Sequence, residues 1–237
     1  MKNKRIIIGI VAVIFSCSLV LNGLLIMRGG YYNIILAKLG IKEQAVKTDW
    51  TLVGWERSLE QLNCDADIVF YGDSLTSGGN FQEHFPDWKI VNLGIPGDSL
   101  LGMKNRAKML SSVTPEKIFI MGGINSLTDK NSDSVFQDYK NMLNAVLDAV
   151  PDAQIYIESI LPISLEKEKE CADNSVIAAF NQRLESLALE KNITYIDLYS
   201  LYVLNGEMNP ELTKDGVHLQ PSAYEYWFCE IQKYVDE

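Results

Sequence analysis

The sequence predicts an α/β protein, a three-layer α/β/α sandwich around a five-stranded parallel sheet. Two observations lead there. Five short β-rich runs recur along the chain, at Asp67–Tyr71, Lys89–Leu93, Lys117–Met121, Gln154–Ile160 and Ile193–Leu198. Stretches of helical spacing separate or follow them, at Leu100–Leu110, Val135–Val150, Ser175–Leu189 and Ala223–Val235. Strands that alternate with helices need crossover connections, which are right-handed, so the sheet is parallel and covered on both faces.

The sandwich accounts for residues 64–237 only. Residues 1–30 read as a short cytoplasmic tail and a transmembrane helix. Lys2, Lys4 and Arg5 precede an apolar run from Ile6 to Met27. As a helix that run is about 33 Å long, enough to cross a hydrocarbon core of about 30 Å. The basic tail places the N-terminus in the cytoplasm and the rest of a single-pass protein outside the cell membrane, with Tyr31 and Tyr32 at the interface. Two alternatives stay open. One is secretion after signal-peptide cleavage near Ser16-Cys17-Ser18, the other a lipid attached to Cys17. Residues 31–63 read as a linker with accessory helices, from the apolar spacing of Ile34, Ile35, Leu39 and Ile41 and from the stretch Trp50–Leu62.

Charge narrows the function. The chain carries a formal net charge of −10 from 21 basic and 31 acidic residues. Four of the basic residues lie in the first 30, which hold no acid, so the remainder stands at 17 against 31, or −14. A body this acidic does not suit nucleic acid, whose affinity rests on Lys and Arg neutralising phosphate. It also favours a neutral substrate over anionic glycopolymers and headgroups. Of the four cysteines, Cys17 lies in the apolar run. Cys64, Cys171 and Cys229 form neither a disulfide framework nor a metal-binding spacing. One bridge is conceivable, Cys64 with Cys229, against buried thiols as the alternative. No metal or cofactor is expected.

In open parallel sheets, ligands bind beyond the carboxyl ends of the strands. Four segments lie there. After the first strand comes Gly72-Asp73-Ser74-Leu75, where Gly72 permits a tight turn and Ser74 starts a helix with its hydroxyl and N–H presented. After the second comes Asn92 to Ser99, with Gly97 able to bring a backbone N–H close to a ligand. Gly122-Gly123-Ile124-Asn125-Ser126 follows the third strand and places an amide donor at the mouth. Before the last helix stands Asp215-Gly216-Val217-His218. With only two histidines in the chain, His218 is the candidate base, and an aspartate three residues earlier can hold its ring through Nδ1. His84, in Glu83-His84-Phe85-Pro86, reads as a surface residue. A capping serine, a strand-to-helix turn or a turn asparagine would each explain one of these residues alone. Their occurrence together, in order and at strand ends, favours a site.

Together these residues resemble the blocks of the SGNH (GDSL-type) hydrolases, including platelet-activating-factor acetylhydrolase-like and carbohydrate O-acetylesterase-like members. Gly72-Asp73-Ser74-Leu75 matches the serine block, Asn92 to Gly97 the glycine block, Gly123-Ile124-Asn125 the G-x-N-D block and Asp215 to His218 the D-x-x-H block. Ser126 stands where that family has an acid. The resemblance implies a flavodoxin-like SGNH fold and a serine esterase. Ser74, Asp215 and His218 would then be catalytic, and Ser74, Gly97 and Asn125 would form the oxyanion hole. A short acyl ester on a carbohydrate is the favoured substrate and a lipid ester, as in a lysophospholipase or thioesterase, the alternative. An O-acetyltransferase or an inactive glycan-binding module are further readings. The segment from Glu166 to Asn174 is a candidate specificity lid.

Overall fold

The computed structural model describes residues 65–169 and 171–237. The apolar run, the linker and the helix expected at Trp50–Leu62 lie outside the described residues. Among the described residues, no helix is long and apolar enough to cross a membrane.

Five parallel strands form the sheet: β1 (Ile68–Gly72), β2 (Ile90–Gly94), β3 (Lys117–Met121), β4 (Gln154–Glu158) and β5 (Thr194–Ile196). Their order is β2-β1-β3-β4-β5, so β1 and β3 are central. Both are buried along their whole length. That burial on two faces is why their sequences run apolar without alternation. β4 ends at Glu158, two residues short of the expected Ile160. The backbone N–H and carbonyl of Ile160 pair instead with the side-chain amide of Asn181, at 2.9 and 2.8 Å.

One face of the sheet is mostly aliphatic. Val69, Ile118, Ile120, Ile155 and Ile157 pack there with α3 (Leu100–Arg106), α4 (Ser132–Ala149) and α5 (Asn174–Lys191). The other face is aromatic. Phe70, Phe119 and Tyr156 sit on neighbouring strands with centroids 5.0 and 4.5 Å apart, and Phe81 stacks on Phe70 at 3.6 Å. Trp227 and Phe228 of the last helix, α7 (Tyr224–Val235), close that layer.

Two short helices, α1 (Ser74–Ser77) and α2 (Phe81–His84), follow β1, and α6 (Tyr199–Tyr202) follows β5. An unforeseen hairpin, β6 (Val203–Leu204) and β7 (Glu207–Met208), turns at Asn205-Gly206, where both residues have positive φ. Asn-Gly joining two short extended segments is the sequence signal for such a turn.

Two expectations need correction. His84 is half-buried, with its ring stacked 4.4 Å from Phe228 and its Nδ1 3.9 Å from Glu225. The sequence conceals this because its partners lie at the far end of the chain. The alternative of buried thiols fails at Cys229, which carries a free thiol on the exposed side of α7, while its expected partner Cys64 lies outside the described residues.

Candidate active site

The site lies at the carboxyl end of β1. A four-residue helix cannot sustain itself, since nucleation fixes several residues for one hydrogen bond. α1 is therefore held from outside. Asp73 caps it, its Oδ1 accepting the Leu75 N–H at 3.0 Å. At the other end the Asn92 amide donates to the carbonyls of Thr76 and Gly79, at 2.8 and 3.0 Å. From the aromatic face, the Tyr224 hydroxyl donates to the Leu75 carbonyl at 2.8 Å. Gly72 is required by space: a Cβ there would come within 2.2 Å of both the Met121 carbonyl and the Thr76 hydroxyl. These contacts fix Ser74 at the head of α1, half-buried, where its N–H has no carbonyl in its own helix to bind.

Facing Ser74 is the segment before α7. His218 Nε2 lies 2.9 Å from Ser74 Oγ, and Asp215 Oδ2 lies 2.7 Å from His218 Nδ1. With the carboxylate ionised, Nδ1 carries the ring proton and Nε2 is free to accept the serine hydroxyl. The geometry is built almost entirely from nearby sequence. Asp215 Oδ1 accepts the backbone N–H groups of Val217 and His218, at 3.1 and 2.8 Å. Thr213 closes the turn by donating its hydroxyl to the His218 carbonyl and accepting the Gly216 N–H. Partial burial pushes the Asp215 carboxyl up. The hydrogen bonds from the His218 N–H, its ring and the Val217 N–H outweigh that and bring it to about 2.

The third side holds the remaining expected donors. Gly97 is exposed on a turn closed by the Asp98 N–H on the Ile95 carbonyl, and its φ of +75° is one that L side chains rarely adopt. The Asn125 amide donates to the Asp98 carbonyl at 2.9 Å, and a longer contact of 3.4 Å reaches Asp73 Oδ2. One amide hydrogen is thus committed to the neighbouring loop, while the other makes only the longer contact. Asp73 is wholly buried, and desolvation pushes its carboxyl up to about 6 against the lowering effect of the Leu75 N–H.

Ser126, in the place of an acid, accepts the Leu100 N–H on its hydroxyl at 3.1 Å, joining its loop to the start of α3. Sequence reasoning missed Arg106. Its guanidinium is buried behind the site and binds Asp98 and two backbone carbonyls. Its spacing carried a signal: Arg106 falls three residues after Met103 and six after Leu100, on the buried stripe of an amphipathic helix.

The proposed lid is tied to the base. Ser164 N–H donates to the Gly216 carbonyl at 2.8 Å, and Asn174 pairs through its side chain with the N–H and carbonyl of Ile163, at 2.9 and 2.8 Å. Between those pins runs one 3₁₀ turn, Lys167–Lys169. Among the described residues, no group of acidic, histidine or cysteine side chains is placed to hold a metal ion.

This arrangement can activate a hydroxyl for attack on an electrophilic carbon. Comparison with known proteins agrees: the profile of the GDSL-like Lipase/Acylhydrolase family matches residues 70–226. The chain belongs to that family. A GDSL-like lipase from Bacteroides thetaiotaomicron superposes with a TM-score of 0.66 at 22% identity, over 78% of this chain and 98% of the other. An acetyl xylan esterase superposes with a TM-score of 0.60 at 18% identity, over 71% and 98%. An N-acylneuraminate cytidylyltransferase from Streptococcus agalactiae is 22% identical over 178 residues, 74% of this chain. The match spans only 40% of that relative's length.

Proposed function

We propose that the chain removes a short acyl group, acetyl in the first place, from a carbohydrate ester through an acyl-Ser74 intermediate. The observation that carries this is the continuous relay from Asp215 through His218 to Ser74, at 2.7 and 2.9 Å, in a family of acylhydrolases. Ser74 Oγ attacks the ester carbonyl carbon as His218 Nε2 takes its proton. The carbonyl oxygen, now negative, is met by the N–H groups of Ser74 and Gly97 and by the Asn125 amide. On collapse, His218 returns the proton to the departing alcohol. Water then attacks the acyl-serine, its proton passing to His218 and on to Ser74 as the acid leaves. Asp215 stays ionised throughout.

A carbohydrate acetyl ester is supported by the likeness to an acetyl xylan esterase and by relatives named for an N-acylated sugar, N-acylneuraminate. The acidic body fits a neutral substrate. The test is hydrolysis of p-nitrophenyl esters from acetate to palmitate by the full-length chain, beside Ser74→Ala. Activity highest on acetate and lost in the variant is the expected result. A strong preference for long chains moves the substrate to lipid esters. Turnover that survives in Ser74→Ala overturns the assigned nucleophile.

A further inference from the structure

A buried guanidinium is an expensive way to hold a fold. Removing such an ion from water is costly, and apolar side chains of the same volume often stabilise as well or better. Arg106 is 1% exposed, and its plane lies 4.1 Å from the centre of the Tyr71 ring. Its three nitrogens reach three different places. Nε donates to Asp98 Oδ2 at 2.7 Å, Nη1 to the Leu93 carbonyl at 2.8 Å and Nη2 to the Gly72 carbonyl at 2.8 Å.

Each of those acceptors lies close in sequence to one of the groups assigned above to the oxyanion. Gly72 is two residues before Ser74. Leu93 is the penultimate residue of β2, the strand that leads to Gly97, and Asp98 follows Gly97 directly. The Asp98 carbonyl is also the acceptor that holds the Asn125 amide, at 2.9 Å. The Gly72 carbonyl takes a second bond, from the Ile95 N–H at 3.0 Å, so the first two loops are joined at the atom Arg106 grips.

From this geometry we infer that Arg106 is a positioning residue for ester hydrolysis: its guanidinium, with Asp98, sets the spacing of the three oxyanion donors. The inference rests on the reading that Ser74, Gly97 and Asn125 receive the oxyanion. It explains why a cation is buried behind the site without touching it. A planar fork fixes three directions at once, whereas the single ammonium of lysine cannot span all three acceptors. Oxyanion donors lose their value when displaced by fractions of an ångström, because they stabilise charge only where it develops.

The test uses the full-length protein with Arg106→Lys and Asp98→Asn, alone and combined with Asn125→Ala. Ser74 is titrated to completion with a fluorophosphonate, so that kcat is expressed per reactive serine. Arg106→Lys is expected to lower that kcat by about 10–10²-fold, less than or equal to the loss of one whole donor, with KM changed by less than about twofold. Asp98→Asn shows the same split with a smaller loss. Combined with Asn125→Ala, either loss shrinks well below the product of the single effects, since the displaced donors are then partly absent. A residue that only supports the fold would reduce the number of titratable serines and leave kcat per serine unchanged; that result overturns the inference. So does a loss confined to KM, or effects that multiply with Asn125→Ala. Should Arg106→Lys not fold, Asp98→Asn, which keeps the side-chain shape, decides by the same criteria. Ser74→Ala in the same assay keeps the two failures apart. If that variant still turns over ester, the nucleophile is misassigned. If it is inactive while Arg106→Lys and Asp98→Asn behave as wild type, only the positioning role is wrong.

Discussion

The two halves of the active site are held by opposite means. The half that carries Ser74, Gly97 and Asn125 is assembled from three loops far apart in sequence, with the buried side chains of Asp73, Asp98 and Arg106 behind it. The half that carries His218 is assembled almost entirely from residues 213–218, and its side chains are open to water: Asp215 is 46% and His218 35% exposed. One half depends on the fold, the other on a turn. The electrostatics divide in the same way. Burial raises Asp73 to about 6, whereas hydrogen bonds lower the exposed Asp215 to about 2. The difference teaches that function and stability are coupled on the nucleophile side and largely separable on the base side.

Asp215→Asn should break that contrast most visibly. The amide cannot accept the Nδ1 proton as a carboxylate does, which favours the wrong tautomer, and kcat is expected to fall by about 10⁴-fold. Asparagine can still accept from the Val217 and His218 N–H groups, and the exposed ion pair itself contributes at most about 1 kcal/mol. The urea midpoint at pH 7 should therefore barely move. A large loss of stability in this variant would show that the base turn also supports the core.

The pH dependence of stability sharpens the comparison, because the two aspartates have opposite signs. Asp73 is raised in the folded protein, so its neutral form is favoured there. Its contribution is greatest below the unfolded value of 3.8 and declines as pH rises to about 6. The decline is on the order of 2–3 kcal/mol for a group this buried. Asp215 is lowered, so its contribution is present above 3.8 and lost as pH falls towards 2. Urea unfolding between pH 3 and 7 should show Asp73→Asn flattening the decline above pH 4, while Asp215→Asn alters only the acid limb. Identical pH profiles for wild type and Asp73→Asn would mean that the buried carboxyl is not the source.

The smallest effect is expected at Gly97. A Cβ there meets nothing within 4 Å, so Gly97→Ala pays only for its φ of +75°, about 1 kcal/mol in urea unfolding. A cost near zero would indicate that the turn relaxes to another conformation.

Much of this was legible beforehand because it is local. The five strands are apolar runs bounded by turn residues, and each was placed within two residues of its observed start and end. Asp215 and His218 are three residues apart, so one turn suffices to bring them together. What was not legible depends on residues distant in the chain. β4 stops early because Asn181 takes the backbone groups of Ile160. His84 is half-buried because Phe228 and Glu225 arrive from the last helix. The Asn205-Gly206 hairpin is the exception, because its signal is local.

By itself the sequence determined the parallel α/β architecture, through periodicity, and the chemical inventory at the strand ends, through residue type. Only the tertiary structure decided that Ser74 Oγ and His218 Nε2, 144 residues apart, lie within 2.9 Å of each other. It alone decided that one buried arginine grips the loops around the serine. The physical reason is that periodicity records which face of an element avoids water, not which distant polar group will satisfy a donor once water has gone.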